Sequence, residues 1–134
     1  MKINEEEKKT LIQTSLKARE NAYTPYSHYK VGAALKTKSG KIYTGCNIEN
    51  ASYGLTICAE RTAMFKAVSE GDRDFETIVI ATRDGGSPCG ACRQVMAEFS
   101  LEMQVILVNQ EGGIVGEFSV AELLPEAFTP RNLI

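Results

Sequence analysis

The sequence predicts a three-layer α/β fold, in which helices cover both faces of a mixed five-stranded sheet. Short apolar runs alternate with helical patterns along the chain in the order α-β-β-α-β-α-β-β-α. A turn signal at residues 38–41 predicts that the first two strands form an antiparallel hairpin. A helical pattern between the third and fourth strands predicts a right-handed βαβ unit, and hence a parallel pair. A sheet that contains both pairings is mixed.

The first helix begins at a capping signal. Asn4 and Glu7 have the spacing of a capping box. The side chains that share one face at helical intervals are Leu11, Ile12, Ser15, Leu16 and Arg19. The pattern extends to about Asn21, and Pro25 marks the break because proline disfavours helical backbone at the residue before it.

The later elements follow from apolar runs and their boundaries. Strands are predicted at 31–35, 42–46, 77–81, 105–108 and 114–118, and helices at about 58–69, 89–99 and after 119. The third run is rich in β-branched residues, as expected of a strand buried on both faces. The connection at 110–113 is too short for a crossover, so the last strand is predicted to be antiparallel. Ser119 and Glu122 form a second capping box.

The composition excludes several classes of protein. The 134 residues suffice for one domain, so 1–134 is interpreted as a single domain. Fifteen Lys and Arg against seventeen Asp and Glu leave a net charge of −2, which provides no basic footprint for nucleic acid. No apolar run approaches the ~20 residues of a membrane span. Residues 1–7 are acidic and lack the apolar core of a signal peptide.

Four cysteines carry the strongest chemical signal. Without a signal peptide they indicate a reducing compartment, the cytoplasm, where metal ligands and catalytic thiols are commoner than disulfides. Cys58 precedes one predicted helix, and Cys89 and Cys92 open the next. Helices that pack on one sheet can begin at the same edge, so these three thiolates can meet. Three thiolates leave the fourth tetrahedral position of a zinc ion open, which is typical of a catalytic site.

Two charged residues follow the first of these cysteines. Glu60 places a carboxylate beside the metal, where it can move protons between zinc-bound water and a substrate nitrogen. Arg61 can donate charge-assisted hydrogen bonds to the sulfurs and offset the net negative charge of zinc with three thiolates. The positive ends of the two helices act in the same direction.

Other roles for the cysteines stay open at this point. A Cys-x-x-Cys pair at a helix start is also found in redox dithiols. A closed four-cysteine site that includes Cys46 would leave no open position and no task for Glu60. The thiols could also simply pack in the interior, which is the favoured interpretation for Cys46 at the end of a strand. The single histidine, His28, is interpreted as a surface loop residue.

The motifs around these residues resemble those of the cytidine deaminase family. Cys58-Ala59-Glu60 with Pro88-Cys89-Gly90-Ala91-Cys92 is similar to the zinc-deaminase signature, with Cys in place of the His of its H-x-E form. The similarity extends to segments 23–27, 31–34, 45–54, 58–63 and 122–125, followed by Phe128. It implies the cytidine-deaminase-like α/β/α fold and one zinc ion per chain, held by Cys58, Cys89 and Cys92. Glu60 matches the family's proton shuttle.

The resemblance also implies substrate-binding roles. Asn47 and Glu49 match residues that bind the ribose hydroxyls. Ala59, through its backbone N–H, matches a group that contacts the base, and Arg61 matches an arginine that bonds the zinc thiolates. Tyr29 departs from the phenylalanine that faces the base in many members. The loop at 84–87 is short for the family.

The implied reaction is the deamination of cytidine and 2′-deoxycytidine to uridine and 2′-deoxyuridine with release of ammonia, in pyrimidine salvage. The short family members are homotetramers, and Phe128 matches an aromatic residue that reaches a neighbouring subunit's site. A deaminase of another base or nucleotide and a zinc-binding interaction module remain alternatives. The charge balance disfavours a polynucleotide, and the Glu49 carboxylate would repel a phosphorylated ribose. Neither nucleic acid nor membrane is an expected partner.

Overall fold

The structure, a computed structural model, describes residues 3–133. Its elements follow the predicted order: α1 Glu5–Arg19, β1 Gly32–Thr37, β2 Ile42–Cys46, α2 Ala59–Ser69, β3 Phe75–Ala81, α3 Gly90–Phe99, β4 Gln104–Val108, β5 Ile114–Ser119 and α4 Val120–Leu123. Single 3-10 turns occur at Tyr53–Leu55 and Pro130–Asn132. Met1 and Lys2, which begin the acidic N-terminal stretch, lie outside the described residues. Within 3–133, every helix is too short or too polar to cross a membrane.

The five strands form one mixed sheet in the order β2-β1-β3-β4-β5. Strands β1 and β2 form the predicted antiparallel hairpin, with Ala34 opposite Thr44. Strands β3 and β4 are parallel, with Val79 opposite Ile106, and α3 connects them as the predicted crossover. Strand β5 is antiparallel to β4, as the short connection before it requires. The predicted fold class is therefore confirmed.

Helix α1 covers one face of the sheet. Its capping box is formed, because the Asn4 side chain accepts from Glu7 N at 2.8 Å and Asn4 N donates back to the Glu7 carboxylate. The helix ends at Arg19, before the predicted Asn21, since the next N–H groups bond three residues back in a tighter turn. The core on this face contains Leu11, Ile12, Ala34, Val79, Ala81, Ile106 and Val108.

Helices α2 and α3 cover the opposite face. The core there includes Leu35, Ala63, Met64, Ile78, Ile80, Met96, Val105 and Leu107. Helix α2 crosses β2 so closely that a Cβ on Gly45 would lie 2.6 Å from Ala63 N, which leaves room only for glycine. This contact holds the first turn of α2 against the sheet, and that turn carries the predicted metal and proton-transfer residues.

Candidate active site

Three cysteine sulfurs meet where α2 and α3 begin. The Sγ atoms of Cys58 and Cys89 lie 3.8 Å apart, and Cys89 Sγ donates to Cys92 Sγ at 3.5 Å. All three sulfurs lie within 4.8 Å of one another. Sulfurs at ~2.3 Å from a tetrahedral zinc ion would be ~3.8 Å apart, so the spacing and the thiol donors suit zinc. The structure therefore brings together the three residues that the sequence predicted as ligands.

The cluster lies at the N-terminal ends of two helices, where backbone N–H groups have no partner within the helix. Cys58 is the N-cap of α2 and Cys89 is the N-cap of α3, and neither side chain bonds the N–H groups of its own helix. Cys92 lies buried one turn into α3. The unpaired N–H groups of both first turns give this region a positive partial charge, which favours thiolates.

Cys46 lies outside the cluster. All four cysteines are within the described residues, and only Cys58, Cys89 and Cys92 group together as potential ligands there. Cys46 ends β2 as a half-buried thiol, less buried than the interior packing role predicted for it, and burial raises its pKa. The closed four-cysteine alternative therefore has no support in this geometry.

Arg61 contacts the cluster from the first turn of α2. Its Nη2 donates to Cys58 Sγ at 3.3 Å. The Cys92 thiol and the Arg61 guanidinium together lower the pKa of Cys58 to about 5, while the bond to Cys58 and burial raise the pKa of Cys92. Arg61 Nε is buried without a hydrogen-bond partner. The predicted contact between this guanidinium and a ligand sulfur is present.

Glu60 is the buried acid of the site. Its residue is 5% exposed, and burial, with the neighbouring charge of Cys58, raises the pKa of its carboxyl to about 7. A carboxyl that exchanges its proton near neutral pH can act both as acid and as base. Helix α2 places this group two residues after one candidate ligand and directs it into a cavity.

The cavity has a volume of about 300 Å³ and brings most of the predicted site residues together. Those in its lining are Tyr29, Asn47, Glu49, Cys58, Ala59, Glu60 and Cys89. Cys92 and Arg61 reach the sulfur cluster without lining the cavity. Ala59 is fully buried at the first position of α2, so its backbone N–H belongs to the unpaired first turn.

Glu49 is fixed by a turn that sequence reasoning left without a role. Its carboxylate accepts from the N–H groups of Tyr26 at 3.0 Å and Ser27 at 3.1 Å, and from the Ser27 hydroxyl. Ser27 accounts for most of the lowering of the pKa of Glu49. The available signal was Pro25, since proline favours a turn at this position.

Asn47 joins two segments of the cavity wall. Its Oδ1 accepts from Val31 N at 2.9 Å, and its Nδ2 donates to the carbonyl of Tyr29 at 2.8 Å. The amide keeps one further hydrogen and one further lone pair for a ligand. The residue therefore supports the wall as well as lining it, a structural role that the sequence did not reveal.

Two further predicted residues lie on the surface. Phe128 is 57% exposed and does not line the cavity of its own chain. The segment is held because Gln94 Nε2 donates to the Phe128 carbonyl at 2.8 Å. His28 is an exposed loop residue, as predicted. Its φ is 58°, and its N–H donates to the Thr24 carbonyl.

Comparisons with known proteins bear on this arrangement. The sequence model of one protein family, the "Cytidine and deoxycytidylate deaminase zinc-binding region", matches residues 5–108. A cytidine deaminase of Sporosarcina psychrophila is 57% identical over 126 residues, 92% of each chain. A cytidine deaminase of Halalkalibacterium halodurans is 53% identical over 130 residues, 95% of this chain and 98% of that one. The crystal structure of a cytidine deaminase from Burkholderia pseudomallei superposes with a TM-score of 0.87 at 46% identity, covering 94% of this chain and all of that one.

Proposed function

This chain belongs to the cytidine and deoxycytidylate deaminase family, and from that premise we propose that it deaminates cytidine and 2′-deoxycytidine hydrolytically. The products are uridine or 2′-deoxyuridine and ammonia. One observation carries the proposal: the buried Glu60 and two members of the three-cysteine cluster, Cys58 and Cys89, line the same cavity as Asn47 and Glu49. A nucleoside bound in this cavity would therefore meet the proton-transfer group, the metal ligands and the sugar-binding residues together.

The metal of this proposal is one zinc ion per chain. The ligands would be Cys58, Cys89 and Cys92. Arg61 donates to the Cys58 sulfur and would offset the negative charge of the thiolates. When bound, zinc in a deaminase site would lower the pKa of a water molecule so that it loses a proton near neutral pH and becomes a nucleophile for C4 of the pyrimidine. Three protein ligands leave one tetrahedral position for that water.

Glu60 moves the protons. The carboxylate takes one proton from the attacking water and gives it to N3 of the pyrimidine, which makes C4 more electrophilic. It then takes the remaining proton from the hydroxyl group on tetrahedral C4 and passes it to the exocyclic amine, which leaves as ammonia as the C4 carbonyl forms. Its burial excludes bulk water from this exchange.

The nucleoside is held at both ends. The N–H of Ala59 at the start of α2 contacts the base, and the ring of Tyr29 forms part of the wall beside it. Glu49 and Asn47 bind the ribose hydroxyls, because a carboxylate accepts from a hydroxyl and an amide both donates and accepts. Since Glu49 is a carboxylate beside the sugar, a nucleotide phosphate would be repelled.

Substrate range tests the function directly. Zinc-loaded protein incubated with cytidine, deoxycytidine, dCMP and adenosine is expected to release ammonia from the first two only. The absence of turnover with both pyrimidine nucleosides would refute the proposal. Turnover of dCMP or adenosine alone would instead indicate a deaminase of a nucleotide or another base. Stable zinc binding without turnover of any compound would indicate an interaction module.

Assembly is the second part of the proposal. We place the protein in a homotetramer in which Phe128 completes the cavity of a neighbouring chain. Three observations support this arrangement: Phe128 is exposed, lies outside its own cavity, and has its carbonyl held by Gln94. An exposed aromatic pair, Tyr26 and Tyr53 with ring centroids 6.0 Å apart, offers apolar surface to a neighbour.

Mixed assemblies test the role of Phe128. Phe128→Ala chains and Glu60→Gln chains are each expected to be weakly active, and light scattering is expected to give the mass of four chains. When the two variants are co-expressed, hybrid tetramers contain sites with an intact Glu60 and a Phe128 from the neighbour. Activity above the sum of the separate variants is expected. A simple sum, or a stable monomer, would contradict the proposal.

The remaining elements of the proposal concern context. We treat residues 1–134 as one deaminase domain that works in the cytoplasm, in the salvage of free pyrimidine nucleosides. A reducing compartment suits a site built from three free thiols. Neither nucleic acid nor membrane is a partner in this proposal, since the net charge of −2 provides no basic surplus.

A further inference from the structure

We propose that Asp84 is a positioning residue for the nucleoside: it holds the Tyr29 hydroxyl and so keeps the aromatic ring of Tyr29 in place as a wall of the substrate cavity. The inference rests on the proposed function, because it concerns the same cavity. Asp84 is exposed and does not line the cavity itself, so it would act only through Tyr29.

Tyr29 and Asp84 form a direct, charge-assisted hydrogen bond. Tyr29 Oη donates to Asp84 Oδ1 at 2.7 Å, across 55 positions of sequence. Burial and this bond to a carboxylate raise the pKa of Tyr29, so the hydroxyl stays protonated and remains a donor. A hydrogen bond to a charged acceptor is shorter and stronger than one between neutral groups. The hydroxyl is thus engaged by protein, and the rest of Tyr29 presents a phenyl-like ring to the cavity.

The acceptor is itself held by the backbone around it. The buried Thr82 hydroxyl accepts from Gly85 N at 2.7 Å and Gly86 N at 2.8 Å, and it donates to Asp84 Oδ1 at 3.4 Å. The backbone of Asp84 also pairs with that of Asn109, the residue after β4, in an isolated antiparallel β-bridge. These contacts fix the conformation of the short loop after β3, and with it the position of the Asp84 carboxylate.

The surroundings leave the ring one well-defined place. A Cβ on Gly86 would lie 2.8 Å from Tyr29 Oη, so only glycine leaves space for the hydroxyl. The guanidinium carbon of Arg83 lies 5.3 Å from the ring centroid, within the range of a cation–π contact. The carbonyl of Tyr29 is fixed as well, by Asn47 Nδ2. Hydroxyl, ring and backbone are each held by a different residue.

A fixed aromatic wall affects binding more than chemistry. A ring that is already immobile loses little freedom when the nucleoside binds, and pre-ordering of this kind improves affinity. The ring carries no proton in the reaction, and it is separate from the sulfur cluster. Loss of the anchor should therefore raise KM and the dissociation constant while leaving kcat and zinc content nearly unchanged.

A double-mutant cycle tests the pairing. Tyr29→Phe and Asp84→Ala are each expected to raise KM for cytidine by about three- to tenfold, with kcat within about twofold of wild type. The double variant is expected to be no worse than either single variant, since both remove the same bond. Asp84→Asn retains an acceptor oxygen and is expected to keep KM within about twofold. Dissociation constants for uridine, measured by calorimetry, should follow the same pattern.

Asp74→Ala serves as the matched control, because Asp74 is an exposed aspartate outside the cavity lining. It should leave KM unchanged. Multiplicative effects of Tyr29→Phe and Asp84→Ala in the double variant would overturn the proposal, as would an Asp84→Ala variant with wild-type KM. The turnover of cytidine by the wild-type protein tests the proposed function separately, so failure of one is distinguishable from failure of the other.

Discussion

Glu60→Gln is expected to lower kcat for cytidine by about 10²- to 10⁴-fold while the chain still holds one zinc ion. Glutamine has nearly the same shape as glutamate, so it fits the buried position, but it cannot give a proton to N3 or to the leaving amine. The three sulfurs lie within 4.8 Å of one another without any contribution from Glu60. Steady-state kinetics and metal analysis on the same preparation measure both effects.

The control for this prediction is a glutamate outside the site. Glu98 is exposed on α3 and lies outside the cavity lining, so Glu98→Gln makes the same chemical change without touching the site. It should leave kcat and zinc content as in wild type. If Glu60→Gln lost its zinc, the carboxylate would be a metal ligand and the proton-transfer role would be wrong. A Glu60→Gln variant with wild-type kcat would also contradict the proposal.

Local signals made most of the fold predictable. The capping boxes at Asn4 and Ser119 both form, because each depends only on residues three positions apart. The short connections dictated the antiparallel pairs β1–β2 and β4–β5, and a helix between two buried runs dictated the parallel pair β3–β4. The antiparallel pairing of β1 with β3 was not predictable in this way, because β2 and α2 lie between these strands in the chain. The end of α1 was less predictable, since its last turn tightens after Arg19 while the side-chain pattern continues.

The cysteine cluster was predictable for a related reason. Its ligands occur at helix starts, and two of them share one turn of α3, so the topology alone brings them close. The supporting contacts were not predictable in this way. The bond between Tyr29 and Asp84 and the three donors to Glu49 depend on loop backbone that brings distant positions together. Periodicity and spacing carry no information about such loops.

Asn47 and Cys46 show the limits of a prediction from residue type. An amide on a polar loop suggests a ligand contact, but residue type did not indicate that both ends of the Asn47 side chain also bond the backbone of the segment before β1. A cysteine at a strand end suggests a buried packing residue, yet Cys46 is only half-buried, because β2 is an edge strand of the sheet. Position in the tertiary structure decided both outcomes.

Loss of a single ligand sulfur is expected to abolish both zinc binding and activity. Cys89→Ala is the most informative variant, because Cys89 is exposed and its removal creates no interior cavity, whereas Cys92 is fully buried. Two remaining thiols cannot complete a three-sulfur site, so zinc should fall from one ion per chain to about a tenth or less after dialysis. Ammonia release from cytidine should fall with it.

Cys46→Ala is the matched control, since it removes a thiol that lies outside the cluster. It should keep one zinc ion per chain and wild-type kcat. Zinc binding should also affect thermal stability, because an ion that binds only the folded chain raises its Tm. A chelator should therefore lower the Tm of wild type and of Cys46→Ala. It should leave the Tm of Cys89→Ala unchanged. A Cys89→Ala variant that retained stoichiometric zinc would show that the ion is held elsewhere. A Cys46→Ala variant that lost zinc would instead support the four-cysteine site. The sulfur positions disfavour that site because Cys46 lies outside the cluster, and a fourth thiolate would also fill the position that the attacking water needs.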